Sequence, residues 1–295
     1  MSFKFWLLIL ALGLVASAQA EDSLLQERLE TEAEQLGEAY VLTTHRVNYL
    51  LPVSYMSRPN KKPSRDNVPG TQEVGLDNLE AKFQISFKLP IATNFINDNG
   101  YLFVAYTNQS YWQVYNKEIS SPFRETNHEP EAFVLFRNDQ ELFGLRNSFW
   151  GFGLSHQSNG QSQPLSRSWN RIYGQAVFDR GNFAMMAKAW YRLPEEEKED
   201  PLDPKGDDNP DIEHFLGNME LHFAYGLDNQ RYSMIVRNNL DFSDNKGSLQ
   251  FNWSYPIKGN LRFYVQYFNG YGESMIDYNH HNQRLGIGVS VNDLI

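Results

Sequence analysis

The residues best equipped for chemistry lie in Gly153-Leu-Ser-His156-Gln-Ser158-Asn-Gly160, followed by Ser166-Arg-Ser-Trp-Asn170-Arg. In an extended strand, alternate side chains share a face, so His156 and Ser158 point the same way with Cβ atoms roughly 7 Å apart. An imidazole so placed can reach a hydroxyl and act as its base. Asn170 opens the next strand-like run, and a tight hairpin would bring its amide beside His156 as the member that orients the ring. The three read as a Ser-His-Asn hydrolase site. Gly160 adds a flexible backbone amide beside the nucleophile, suited to the charge of a tetrahedral intermediate. Ser162, Pro164, Ser166 and Ser168 supply carbonyl and hydroxyl oxygens of the hard kind calcium prefers. A His-x-Ser pair is common in β hairpins, so the plainer alternative is a polar turn.

The elements that must position these residues are strands. The amino terminus, Met1-Ser-Phe-Lys4 followed by an apolar run and Ala18-Gln-Ala20, has the three regions of a cleavable secretory signal spanning residues 1–20. Residues 21–47 begin acidic, with leucines near helical spacing, and are expected to form a periplasmic segment. From Asn48 to residue 295 the pattern changes to short runs of period two, rich in aromatic and branched residues and separated by turn chemistry. In Leu261-Arg-Phe-Tyr-Val-Gln-Tyr, Leu261, Phe263, Val265 and Tyr267 share one face while Arg262, Tyr264 and Gln266 share the other.

About twelve strands are expected, centred near Leu51, Ile85, Val104, Phe133, Phe152, Ala176, Lys188, Leu221, Ile235, Trp253, Val265 and Ile287. Tight turns at 179–182, 226–229 and 256–259 alternate with long connections in the later half of the chain. That asymmetry belongs to a transmembrane antiparallel β-barrel more than to a soluble sandwich. Residues 91–100 and 137–144 read as longer connections that break the rhythm, and residues 113–128 read as a loop. With an amino terminus in the periplasm, the strand centred on Phe152 ends outside, at His156 and Ser158.

Composition sets further bounds. The chain has no cysteine, which excludes disulfides and thiolate sites. Its net charge of −10 opposes nucleic acid as a partner, since phosphate binding needs a basic face. The acidic run from Glu195 to Asp211 matches no calcium-loop spacing and is expected to be solvated. Arg124, Glu125, Glu129 and Arg146 are expected to form ion pairs in the barrel interior.

Three motifs, in order, carry a family resemblance. Ser120-Ser-Pro-Phe-Arg124-Glu-Thr-Asn127-x-Glu-Pro130, Ser155-His156-x-Ser158-Asn-Gly160-x-Ser-x-Pro164-x-Ser166-Arg-Ser-Trp-Asn170-Arg-x-Tyr173, and Gly270-Tyr-Gly-Glu-Ser-x-Ile-Asp277-Tyr-Asn279 resemble the outer-membrane phospholipase A family. The resemblance runs from about Tyr101 to the carboxyl terminus. It implies a twelve-stranded outer-membrane barrel that cleaves the sn-1 and sn-2 acyl esters of phospholipids and lysophospholipids. Ser158 is then the nucleophile, His156 the base and later the acid, Asn170 the residue that holds the imidazole, and Gly160 the oxyanion amide.

The resemblance also implies a calcium-dependent homodimer with its site facing the outer leaflet. Calcium ligands would be the carbonyl oxygens of Gln161 and Ser166, with the Ser120 hydroxyl arriving from the second subunit. Asn108 matches a polar position at the dimer interface; an inward-facing amide is its alternative. Gln163 stands where the family can have Asp, so calcium binding should depend more strongly on dimerisation here. A passive outer-membrane channel of the same architecture is the competing function, and a secreted soluble hydrolase a third.

Overall fold

The computed structural model describes residues 41–63 and 74–292, together with the isolated residues 23 and 25. The expected signal sequence and most of the segment 21–47 lie outside the described residues.

The sheet has thirteen strands: β1 (Thr43–Thr44), β2 (Tyr49–Met56), β3 (Leu79–Ile96), β4 (Asn99–Trp112), β5 (Phe123–Leu142), β6 (Leu145–Ser158), β7 (Ser168–Arg180), β8 (Phe183–Arg192), β9 (Met219–Leu227), β10 (Gln230–Asn238), β11 (Gly247–Lys258), β12 (Leu261–Gly270) and β13 (Asn282–Ser290). Consecutive strands from β2 to β13 pair antiparallel, and β13 returns to pair with β2, so twelve strands close a barrel. Closure leaves no barrel strand with an unpaired edge, the condition an apolar surround imposes on backbone N–H and C=O groups. Each expected centre falls in its own strand. The short β1 pairs Thr43 with Lys88 of β3, so barrel structure begins before Asn48.

Alternation sorts the side chains. Along β6, Trp150, Phe152, Leu154 and His156 are exposed on the outer wall while Gly151, Gly153 and Ser155 are buried within. Along β12, Tyr264, Gln266 and Phe268 are buried, and Leu261 and Tyr267 are exposed on the opposite face. Leu50, Ile85, Val104, Ile172, Phe251, Leu285 and Ile287 extend the outer belt. Such a belt suits lipid.

The two connections expected to be long toward the tight-turn end are instead strand. β3 runs to Ile96 and turns through Asn97 and Asp98 (φ 48° and 58°); β5 runs to Leu142 and turns through Phe143 and Gly144 (φ 56° and 79°). Two consecutive residues of positive φ make the kind of turn whose twist matches a hairpin. All five connections at that end are therefore two residues long. Long loops, including the one carrying the short helix α1 (Ile212–Leu216), occupy the other end. The segment 113–128 also differs from expectation, because strand resumes at Phe123.

Inside, the barrel is filled by paired charges. Arg284 contacts Glu80 (2.8 Å) and Glu273 (2.5 Å), Lys82 contacts Glu273 (3.1 Å), and Arg124 bridges Glu80 (3.2 Å) and Asp277 (2.6 Å). A second network joins Glu129 to Arg46 and Arg171 (2.8 Å each), and Glu131 to His45, Arg46 and Lys188 (2.9 Å each). His45 and Arg46 thus enter the interior from ahead of β2. Arg146 pairs with Asp179 (2.8 Å), as expected of an interior charge. Glu125 instead accepts from the amides of Asn127 (2.5 Å) and Asn159 (3.3 Å) and from the Ile276 N–H (3.0 Å).

On the loop between β12 and β13, burial opposes ionisation of Glu273, but Arg284 and Lys82 outweigh it and bring the carboxyl down to about 2. A depressed carboxyl stabilises the fold above its unfolded value, so this contribution should fade as pH falls from the ordinary range toward about 2. Lys82→Met strands part of the Glu273 charge and should cost about 3–5 kcal/mol. Urea unfolding followed by tryptophan fluorescence measures the loss, and pairing the change with Glu273→Gln should restore most of it.

Candidate active site on the outer wall

β6 ends at Ser158 and β7 begins at Ser168, so the 159–167 loop joins them at the long-loop rim. The register places His156 directly opposite Asn170 and Ser158 opposite Ser168. Across this pair His156 Nδ1 and Asn170 Oδ1 are 2.8 Å apart. The amide oxygen can only accept, so Nδ1 carries the proton and Nε2 is left with a free lone pair. His156 is exposed and Ser158 half-buried, and both continue the outward row of Trp150, Phe152 and Leu154. Among the described residues they share the row without a hydrogen bond between them. Catalytic hydrogen bonds often tighten only with substrate in place.

The inner face holds the hairpin rigid. Trp169 is buried, its indole N–H donates to Gln157 Oε1 (2.8 Å), and its ring packs edge-on against Trp190 (6.0 Å). The Arg171 guanidinium lies 4.1 Å from the Trp169 ring centroid. Ile212 and Leu216 of α1, with Met275 and Tyr278 of the last loop, complete the same cluster. Gly153 leaves room for Tyr173, because a Cβ there would stand 2.7 Å from the phenol ring. Neighbours in sequence therefore divide the labour: odd residues of β7 anchor the strand inside while Asn170 faces out.

Gly160 has φ of 63°, a conformation glycine adopts without strain. Among the described residues its N–H has no protein acceptor, which leaves it available to a bound oxyanion. Asn159 fixes the loop, accepting from Arg167 N–H (2.9 Å) and Gln161 N–H (3.3 Å) and donating to the Leu165 carbonyl (2.9 Å).

The expected calcium donors are oxygens, as a hard cation requires. Gln161 is exposed and offers its carbonyl. The Ser166 carbonyl already accepts from Arg167 Nη1 (2.6 Å), and the Ser166 hydroxyl donates to Asp208 (2.5 Å). Ser120 lies on the separate loop between β4 and β5, exposed, with φ of 66°. Among the described residues no three His, Asp or Glu side chains form a metal cluster. The set fits a cation held by neutral carbonyls and hydroxyls and not a carboxylate cage.

Asn108 faces outward, so its alternative as an interior amide is excluded. Its amide nitrogen lies 3.4 Å from His128 Nδ1, and its oxygen accepts from Ser110 (3.0 Å).

The acidic run after β8 is largely exposed, as expected, at Glu196, Glu197, Glu199, Asp200 and Asp211, but Glu195, Asp207 and Asp208 turn back onto the barrel. Glu195 Oε1 accepts from Asn170 Nδ2 (3.2 Å), giving the continuous line His156, Asn170, Glu195. Burial raises the Glu195 carboxyl, Asp207 adds to this, and Arg192 and Asn170 offset only part of it. Asp208 receives Lys198 (2.6 Å), Gln163 (2.7 Å) and Ser166 (2.5 Å). Burial alone would raise its carboxyl, yet these three donors hold it below the usual range. The loop is thereby clipped to the site over a separation of more than forty residues. No short motif announces such a contact, because the partners lie 25 to 45 residues apart in sequence.

Fold and site together define an outer-membrane β-barrel with a hydrolase-type constellation on its outer wall. A family model described as phospholipase A1 matches residues 25–291, which reaches well ahead of Tyr101, where the motif resemblance began. Phospholipase A1 of Escherichia coli K12 is 39% identical over 215 residues, covering 73% of this chain and 70% of that protein. Phospholipase A1 of Proteus vulgaris is 37% identical over 259 residues, covering 86% and 83%. Among solved structures, outer membrane phospholipase A of Escherichia coli aligns with a TM-score of 0.76 at 36% identity, covering 86% of this chain and all of that one. A calcium-bound dimer of the Salmonella typhi outer membrane phospholipase aligns at 0.78 and 34% identity, covering 89% and 97%. The chain belongs to the phospholipase A1 family.

Glu195→Gln keeps a hydrogen bond to Asn170 but removes the charge behind it. It should lower kcat about 2- to 10-fold, equivalent to about 0.4–1.4 kcal/mol, with KM little changed. Steady-state kinetics in detergent micelles measure this.

Proposed function

We propose that the protein hydrolyses the sn-1 and sn-2 acyl esters of phospholipids and lysophospholipids, with Ser158 as nucleophile, His156 as base and acid, and Asn170 as the residue that orients the imidazole. The observation that carries this is the 2.8 Å contact between His156 Nδ1 and Asn170 Oδ1 on the same outward row as Ser158. A base and a nucleophile on an apolar wall meet acyl esters that a soluble substrate site would not.

His156 Nε2 takes the Ser158 Oγ proton as the oxygen attacks the ester carbonyl. The Gly160 amide receives the developing oxyanion. The protonated ring then returns its proton to the departing glycerol oxygen, leaving an acyl-serine. Water, deprotonated by the same nitrogen, releases the fatty acid and restores Ser158. Asn170 keeps the ring in one tautomer throughout, and as a neutral amide it offsets imidazolium charge less than a carboxylate would.

Calcium held by the Gln161 and Ser166 carbonyls and by Ser120 of a second copy would add positive charge beside the oxyanion. The active form is then a homodimer with the site facing the outer leaflet, and Asn108 lies at the interface between copies. The dimeric, calcium-bound relative supports this reading, as does the oxygen-only donor set. Among the described residues the carboxylate bonded to Ser166 is that of Asp208, which Lys198 already neutralises, so a single chain offers calcium mainly neutral oxygens there.

Lipid hydrolysis assayed with calcium or with chelator tests the proposal. Activity should require calcium and should fall by at least about 10³-fold in Ser158→Ala; turnover that persists in that variant would falsify the mechanism. Calcium titration should give tighter binding for the dimer than for monomer dissociated in detergent.

A further inference from the structure

Ser158 has a second imidazole beside it. The β5 to β6 register pairs His128 directly with Ser158, on the outward face of the barrel. Directly opposed residues in an antiparallel pair have Cβ atoms about 4.5–5.5 Å apart, closer than the roughly 7 Å separating Ser158 from His156 on its own strand.

The neighbours of His128 determine how its ring is used. Tyr106 Oη lies 2.6 Å from His128 Nδ1, and Asn108 Nδ2 lies 3.4 Å from the same nitrogen. The amide is oriented by Ser110, whose hydroxyl donates to Asn108 Oδ1 at 3.0 Å, so its NH2 group faces the ring. The Asn108 NH2 group can only donate, which makes Nδ1 an acceptor; the Tyr106 hydroxyl, able to play either part, then donates as well, and the proton of the neutral imidazole resides on Nε2. Nε2 has no protein partner among the described residues. This edge of the ring lies beside Gly160: a Cβ built on that glycine would stand 3.9 Å from both Nε2 and Cδ2 of His128.

A held ring with its Nε2 edge beside Gly160, opposite Ser158, fits a specific task. We propose that His128 Nε2–H is a second donor to the oxyanion formed on the substrate carbonyl, acting with the Gly160 amide. The inference rests on Ser158 being the nucleophile. His156 and His128 then have opposite tautomers by construction. Asn170 accepts at Nδ1 of the first and leaves a base, whereas Tyr106 and Asn108 donate to Nδ1 of the second and leave a donor. No new bond is made or broken by His128; it stabilises the negative oxygen and keeps its proton. The contact also gives Tyr106 and Asn108 a positioning role within one chain, separate from any contact between copies.

The test uses the full-length protein in detergent micelles, with calcium and a medium-chain diacyl phosphatidylcholine as substrate, and compares His128→Phe, His128→Gln and Ser158→Ala. Loss of one oxyanion donor costs about 10²–10³-fold in kcat. His128→Phe should show a loss of that order with KM within about 2-fold, and His128→Gln, which retains an N–H, should recover at least about tenfold of it. Labelling of Ser158 by an organophosphonate, whose phosphoryl oxygen also gains charge, should slow in parallel. Cross-linking yield reports dimerisation separately. The proposal is overturned if His128→Phe retains kcat within about 2-fold while Ser158→Ala is inactive, or if the loss follows dimer yield with activity per dimer unchanged. Activity persisting in Ser158→Ala would instead overturn the nucleophile assignment on which it depends.

Discussion

Pairing of β13 with β2 is the constraint on which the rest of the structure depends. Once the ring closes, no strand of the wall is left with an unpaired edge, and each residue must face either in or out. There is no third side on which to place an awkward group. Apolar residues are sent outward into a belt, and charged residues inward, where they survive only by pairing. The interior networks around Glu273 and Glu131 are therefore a consequence of closure more than its cause. They also answer the competing function: with His45, Arg46, Lys82, Arg171, Lys188 and Arg284 paired across the interior, and aromatic residues packed beneath the long loops, the barrel has the filled centre of a scaffold and little of a conduit.

The same rule places the residues of the proposed site. His156, Ser158, Asn170 and His128 all have outward parity, and their immediate neighbours in sequence, Gln157, Trp169, Arg171 and Glu129, are interior anchors. Side chains that must hold an orientation on an exposed surface gain rigidity from residues one position away on the opposite face. Cross-strand register does what a folded cleft does in a soluble hydrolase. It sets distances between residues fourteen and thirty positions apart without a pocket to enclose them.

Much of this was legible in the sequence, because period two is a direct imprint of burial. The twelve strand centres, the outward row ending at Ser158 and the partnership of His156 with Asn170 all follow from alternation and hairpin spacing. What was not legible depended on information that alternation does not carry. Phe143 in a positive-φ turn has no turn signature, so the β5 to β6 hairpin read as a loop. His45 and Arg46 find partners more than eighty residues away, so nothing local marks them as interior residues. Glu195 and Asp208 sat in a run whose charge suggested water, yet Asn170, Ser166 and Lys198 draw them onto the site. Nothing local in the sequence marks His128, because its significance lies in the residue opposite it, and register is fixed only once the strands are laid side by side.

The outward row has a consequence for what the wall can select. Ser158 lies two positions beyond His156 and four beyond Leu154, the last apolar residue of that row, which places it roughly 13 Å along the strand from the edge of the apolar belt before strand tilt is counted. In the proposed reaction, Ser158, fixed at one height on a rigid cylinder, would sample a single stratum of its surroundings. Molecules whose ester bond floats in that stratum come within reach whatever their headgroup shape, and those whose ester lies deeper or shallower must be displaced vertically first. Discrimination on such a surface is a matter of depth, so the thickness and lateral pressure of the surrounding film become part of the recognition element.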